Sequence, residues 1–351
     1  MTVEVWAAEN TTPADIDAAL RHLLEEQHVR GESYTPARVL NMVAVVDAVW
    51  RGEILNRLER VGRYHPSRTV LCAVDEGRTT LDASARLSTD GSGDPSLISV
   101  VEERIDIRMG PSHLRRLDAI VDPLIISDLT TVVWAPHGHH EAVEAMLKLA
   151  DVVLLDSADD PNPARAIGWV CRLQEHAYIV DLAWLRSTPW RERIAATFDP
   201  DKWQPALRRI SKVVVRHRSD SVVSGVLLLG WLASRLGWTP ESLVAENGRH
   251  TGRARAGKLE VALRLEPIEE MSAPGLAGIT VETADGMMLS LDRSQGGLAA
   301  HRVMPDGRES SWVVLGASRG EAGILGEGIR QALLRDPTYG PAVSCAGKML
   351  S

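Results

Sequence analysis

Apolar positions change their period several times along the chain, and each change predicts a different element. In "TPADIDAALRHLLEEQ" (12–27), Ile16, Leu20, Leu23 and Leu24 recur at helical spacing behind a Thr-Pro start. "ARVLNMVAVVDAVW" (37–50) is apolar and valine-rich; its period admits strand or helix. We take it as a strand running into the helix "GEILNRLERVG" (52–62). "RTVLCAVDE" (68–76) reads as a strand. "TTLDASARLST" alternates Leu81, Ala83, Ala85 and Leu87, and "LISVVEERIDIRM" alternates Val101, Ile105 and Ile107 with charged residues. Both are half-buried strands, forming an antiparallel hairpin or meander around the turn "DGSGDPS".

From residue 112 the pattern becomes continuous apolar strands alternating with helices. "SHLRRLDAIVDPLI", "HHEAVEAMLKLA", "NPARAIGWVCRLQEH" and "TPWRERIAATF" read as helices. "DLTTVVWAP", "DVVLLDSA", "AYIVDLAW" and "KVVVRHR" read as strands at the centre of a parallel sheet covered on both faces. After the apolar helix "SVVSGVLLLGWLASRLGW" come short alternating runs from residue 257 to 318, split by "DG", "GG" and "DG" turns. These are hairpin signals and predict an antiparallel sheet, followed by the helix "EGIRQALLRD".

The fold class expected is therefore α/β plus α+β. A mainly parallel sheet flanked by helices occupies the N-terminal and central part, and an antiparallel sheet with helices the C-terminal part. Two domains are expected, 1–165 and 166–351, with the boundary falling somewhere between residues 160 and 205.

Composition narrows the function classes. The 351 residues carry a net charge of −8, which argues against general nucleic-acid affinity because that needs a basic surface. Three dispersed cysteines, Cys72, Cys171 and Cys345, form no C-x-x-C pair and suggest a reducing compartment. The first residues show no basic and apolar leader pattern. The most apolar stretch, 222–236, is shorter than about 18 residues and carries Arg235, so no membrane span is expected. A soluble, cytoplasmic protein is the reading.

Chemistry-bearing clusters are few. "PHGHHEAVE" places His137, His139, His140 and Glu141 at a strand-to-helix junction; they are metal-ligand types, but the spacing is not HExxH and a solvated helix start is the simpler reading. "LGASRGEAGILGEGIRQALL" (315–334) matches no phosphate-loop pattern and reads as a flexible turn before the final helix. "GRHTGRARAGK" (248–258) is the strongest basic run and reads as a mobile loop, either solvated or meeting an acidic partner or a phosphate. "RYHPSR" (63–68) supplies His65 and Ser67, yet no acid to orient the histidine and no oxyanion site can be named. Pro66 disfavours helix at His65, making the segment a rigid exit that presents Arg63 and Arg68. No catalytic residue and no cofactor is expected.

Five blocks in order carry a resemblance: "ARVLNMVAVV" (37–46), "RYHPSR" (63–68), "DPLIISDLTTVVWAP" (122–136), "LADVVLLDSADDP" (149–161) and "DLAWLRSTPWRE" (181–192). Together they resemble the glucose-6-phosphate dehydrogenase assembly protein family, OpcA, of actinobacteria and cyanobacteria, from about residue 35 onward. The resemblance implies a non-catalytic partner that binds glucose-6-phosphate dehydrogenase and promotes its active oligomer. It would act at the entry of the oxidative pentose phosphate pathway, influencing NADPH supply, with residues 1–165 as the assembly domain. Some cyanobacterial members are described as redox-responsive through cysteines; no cysteine lies in "RYHPSR" or "DLAWLRSTPWRE". Arg and Trp carry disproportionate energy at interfaces, so two groups are candidate partner- or anion-binding residues: Arg63, His65, Ser67 and Arg68, and Trp184, Arg186, Trp190 and Arg191. The simpler reading of the second group is a core aromatic pair with solvated arginines. The competing function is a sugar-phosphate- or nucleotide-binding enzyme, or a metabolite sensor, using the rim of the parallel sheet.

Overall fold

The structure is a computed structural model that describes residues 2–29, 38–62, 65–89, 101–271, 273–315 and 321–351. The chain divides into two compact units. The first comprises residues 1–155, 176–180 and 325–335, and the second residues 156–175, 181–324 and 336–351.

The first unit is built on an eight-stranded sheet. Its strands are β1 (Thr2–Ala8), β2 (Leu40–Asp47), β3 (Ser67–Val74), β4 (Asp82–Thr89), β5 (Val101–Met109), β6 (Thr130–Trp134), β7 (Val152–Leu155) and β8 (Tyr178–Asp181). They lie in the order β1-β4-β5-β3-β2-β6-β7-β8. The pairs β5–β3, β3–β2, β2–β6 and β6–β7 are parallel, and β1–β4 and β4–β5 are antiparallel. The valine run of β2 is the reason it sits at the centre: Val43, Ala44, Val45 and Val46 are all fully buried, as befits a strand covered on both faces. The helices of this part are α1 (Pro13–Val29), α2 (Arg51–Gly62), α3 (Leu117–Val121) and α4 (His140–Met146). Residues 112–125, expected as one helix, are instead two short 3-10 turns around α3, because Arg116 leaves the helical backbone (φ −123°, ψ 24°) and Pro123 has no N–H to continue the ladder.

The second unit carries helices α5 (Pro163–Leu173), α6 (Leu182–Arg186), α7 (Thr188–Phe198), α8 (Gln204–Leu207) and α9 (Val222–Leu236). Helix α10 (Glu321–Leu334) follows the last strand, and α11 (Tyr339–Leu350) closes the chain. The second sheet contains β9 (Ile210–Arg218), β10 (Thr239–Pro240), β11 (Val244–Glu246), β12 (Arg249–Ala256), β13 (Leu259–Ile268), β14 (Leu276–Thr283), β15 (Met288–Ser294), β16 (Gly297–Val303) and β17 (Glu309–Leu315). The order is β10-β12-β13-β9-β14-β15-β16-β17, with β11 on β12; among the described residues β13–β9 is the one parallel pair of this sheet. The α/β plus α+β class expected from the sequence is what the structure shows.

Three further assignments differ. "KVVVRHR", expected in the parallel sheet, is β9 at the middle of the second sheet; its apolarity reports central burial and does not say which sheet provides it. "GRHTGRARAGK" is not a loop. Its period-two alternation puts Ala254 inside and Arg253 and Arg255 outside on β12, with Arg253 Nη1 2.8 Å from Glu260 Oε1. "AYIVDLAW" is a strand only to Asp181, whose carboxylate accepts from the Ala183 amide and starts α6 there. The glycine-rich stretch expected as a flexible turn from residue 315 falls on residues 316–320 outside the described residues, and from Glu321 it is helical, so α10 begins six residues before the helix expected at Glu327.

Candidate functional site

The motif blocks converge on two buried polar clusters, one in each unit. The first lies at the amino-terminal ends of β2, β3 and β6. Glu103 on β5 is fully buried, and Arg68 Nε donates to its Oε2 at 2.8 Å while Arg38 Nε donates to its Oε1 at 2.6 Å. Arg68 also donates to the Leu124 carbonyl at 3.2 Å. Beside it Asn41, fully buried on β2, donates to the Ile126 carbonyl (2.9 Å) and the Thr131 hydroxyl (3.1 Å) and accepts from the Ile126 amide (3.0 Å). The blocks 37–46, 63–68 and 122–136 are thus tied to one another by their polar residues.

This corrects the reading of Arg68 as an outward-facing cation. It is 8% exposed and neutralises Glu103, because a buried carboxylate requires paired donors. His65 and Ser67 are half-buried, and the Ser67 hydroxyl lies 3.2 Å from that of Thr69. Arg63 lies outside the described residues.

The second cluster is centred on Asp181. Its carboxylate accepts from the Ser157 amide (3.0 Å), the Ser157 hydroxyl (2.6 Å), the Ala183 amide (2.9 Å) and the Tyr339 hydroxyl (2.8 Å). Burial pushes its pKa up to about 6, helped by the nearby Asp156 charge and opposed by these hydrogen bonds. Arg186, half-buried, donates to Asp156 Oδ2 at 2.6 Å. Trp184 is buried and donates from Nε1 to Asp336 Oδ2 at 2.9 Å. The Arg191 guanidinium lies 3.6 Å above the Trp184 ring and donates to the Ser187 hydroxyl at 3.1 Å and the Thr188 hydroxyl at 2.9 Å. Burial pulls the pKa of Arg191 down to about 10. Burial alone would raise Asp336, but hydrogen bonds from Thr338 and Trp184 and the Arg191 charge hold it below the usual carboxylate range. Trp190 is buried as well. The core aromatic group is therefore the observed arrangement for Trp184 and Trp190, and Arg191 is stacked inside it, not solvated.

The opposite, carboxyl-terminal rim of the parallel strands is where doubly wound sheets hold ligands, at the point where the chain leaves adjacent strands in opposite directions. Here that point lies between β2 and β6. The turn after β2 is "DAVWRG", with no glycine fingerprint to let backbone approach a pyrophosphate. Trp50 from this turn stacks on His137 with ring centroids 5.1 Å apart, and His139 Nε2 lies 3.0 Å from Asp47 Oδ1. His140 is the first residue of α4. His137 and His139 face different neighbours, and among the described residues no three metal-ligating side chains converge. Trp134, at the end of β6, is buried.

Comparison with known families decides what these clusters belong to. Residues 59–172 match the model of the glucose-6-phosphate dehydrogenase subunit N-terminal domain, and residues 177–343 match that of its C-terminal domain. The chain belongs to this family, OpcA. Among relatives, this OpcA-family chain is 27% identical over 238 residues to a protein of Synechococcus elongatus provisionally named OxPP cycle protein OpcA, covering 66% of this chain and 51% of the relative. A protein of the same provisional name from Nostoc punctiforme is 30% identical over 150 residues, covering 42% of this chain and 32% of the relative. The chain spans about half the length of the first of these relatives and about a third of the second.

Among solved structures, UDP-N-acetylglucosamine 3-dehydrogenase GnnA from Acidithiobacillus ferrooxidans is similar with a TM-score of 0.45 at 11% identity, covering 88% of this chain and 96% of that one. Apo scyllo-inositol dehydrogenase from Lactobacillus casei gives a TM-score of 0.45 at 10% identity, covering 90% and 96%. At this level of likeness no activity is carried over.

Proposed function

We propose that this OpcA-family chain is a non-catalytic assembly and activating subunit of glucose-6-phosphate dehydrogenase, acting in the oxidative pentose phosphate pathway from the cytoplasm. The observation that carries the reading is the pair of consecutive family matches, 59–172 and 177–343, whose descriptions both name a dehydrogenase subunit. The site chemistry supports it from another direction. The polar residues of the motif blocks are spent on anchoring turns and strand ends, and none of the two clusters forms a nucleophile–base–acid arrangement. The rim that would hold a dinucleotide presents Asp47, Trp50 and His137 in place of a glycine-lined cradle.

An activator of this kind acts by differential affinity: it binds the active dehydrogenase assembly more tightly than the inactive one and shifts the population toward it. Docking needs exposed groups, so in this reading the buried Arg68, Trp184, Trp190 and Arg191 serve it by fixing the turns that carry His65, Ser67 and Arg186. The test is to mix the purified chain with its dehydrogenase and record co-elution and kinetics at limiting glucose 6-phosphate. Co-elution with raised activity is expected; separate elution with unchanged kinetics would overturn the reading.

A further inference from the structure

The second unit holds a cleft of about 280 Å³ that no motif block touches. Helix α7 supplies Arg193 and Thr197, one turn apart on the same helix face. The segment after α7 supplies Trp203, β16 supplies Arg302 and β17 supplies Trp312. In β16 and β17, Ala300 is paired with Trp312, which brings Arg302, two residues on, to the same face of the sheet as the indole.

Two features separate this cleft from an ordinary surface groove. The Arg302 guanidinium is held by aromatic faces, 4.3 Å from the Trp203 ring centroid and 5.1 Å from that of Trp312. Also, the Nε atoms of both Arg193 and Arg302 are buried with no hydrogen-bond partner. An unmet buried donor is costly, and orphaned charged donors are more so. Arg51 and Arg78 also have an unmet Nε but meet the carboxylates of Asp106 and Asp82 through their other nitrogens, as the buried Arg68 meets Glu103. Among the described residues that line this cleft there is no Asp or Glu. Burial also lowers the pKa of Arg302, the direction expected for a cation without a counter-charge.

Two guanidinium groups line one small cleft, Arg302 also donating from Nη2 to the Thr197 carbonyl at 3.5 Å, and guanidinium groups bind the oxygens of a phosphate with directional pairs of hydrogen bonds. The indoles and the apolar side chains of Leu291 and Val314 provide a dry wall for a carbon skeleton. The volume lies at the lower edge of the range for small-molecule sites, about 300 Å³ upward, which suits a monosaccharide phosphate and excludes a dinucleotide. We propose that this cleft binds the phosphate monoester of a small sugar, with Arg193 and Arg302 on the phosphate and Trp203 and Trp312 against the sugar.

The full chain, without any dehydrogenase, is titrated with glucose 6-phosphate, inorganic phosphate and glucose, following calorimetric heat and tryptophan fluorescence. Saturable binding of glucose 6-phosphate is expected, with weaker binding of phosphate at the same site and none of glucose. Arg193→Gln and Arg302→Gln should each weaken binding about tenfold or more, the loss of a hydrogen bond to a charged group. Melting curves of the unliganded variants establish that they fold. Should Arg302→Gln fail to fold because it loses its aromatic stack, Arg193→Gln, whose Nε has no partner to lose, decides the matter. No saturable response at millimolar glucose 6-phosphate, or unchanged affinity in Arg193→Gln, would overturn the site. Equal affinity for phosphate and its ester would overturn the sugar component. Because no dehydrogenase is present, failure here leaves the assembly role standing.

Discussion

Arg68 and Asp181 show how single residues of the motif blocks do structural work. Removing the Arg68 side chain leaves Glu103, fully buried, with only Arg38 opposite it in this cluster. Arg68→Ala is therefore expected to destabilise the protein by about 3 kcal/mol in a denaturant titration. Asp181 makes a pH prediction. Its pKa is raised from an ordinary 3.8 to about 6 in the folded state, so the folded protein binds the extra proton. The contribution of this group to stability is full below pH 3.8 and is lost as pH rises through about 6, by roughly 3 kcal/mol in total. Asp181→Asn should flatten that part of the stability–pH profile measured by thermal unfolding; an unchanged slope would contradict the assignment. Cys72 is fully buried, and burial together with the Asp106 charge pushes its thiol up to about 12. In a thiol-reagent titration Cys72 should stay silent in the native protein and react only in denaturant. A fast native reaction at Cys72 would reopen redox switching at this position.

Elements were legible in the sequence where one face or both faces of a regular structure are buried. The valine run of β2 and the mostly apolar stretch of α9 announce themselves because every turn of the pattern meets core. The N-terminal strand β1 is not legible as an element, since among the described residues its partner is β4, remote in sequence, and its own pattern is short. The final helix α11 also escaped, because its register depends on a remote partner. Ala342 of α11 sits against Gly230 of α9, where an added Cβ would come within 2.3 Å of the Ala342 carbonyl oxygen. A glycine in the middle of a helix looks like a flaw from sequence and is here the condition for close helix packing. Gly230→Val is expected to cost about 3 kcal/mol by pushing α11 away, read as a lowered melting temperature. The cleft of Arg193, Trp203, Arg302 and Trp312 is invisible for the same reason: a helix and a turn supply one pair and two strands the other, about a hundred positions further along the chain. The chain's unusual stock of ten tryptophans against one phenylalanine was the available signal, but it does not say which indoles flank an arginine.

At the scale of the whole molecule, the motif blocks served as a family mark without naming a site. They mark the residues that hold strand ends and turns in place, so they were recognisable in order along the chain while their outward-facing roles were not. Both units carry such an anchor, Glu103 in the first and Asp181 in the second, and both belong to a chain of the glucose-6-phosphate dehydrogenase subunit family. Among the described residues no helix is long and apolar enough to cross a membrane. The measurement that tests the central claim most directly is the initial rate of purified glucose-6-phosphate dehydrogenase at limiting glucose 6-phosphate, with and without an excess of this chain, run alongside size-exclusion chromatography of the mixture. The assembly role predicts a higher rate, a larger co-eluting species and no turnover by the chain alone. Unchanged rate and separate elution, or dehydrogenase turnover by the chain itself, would contradict it.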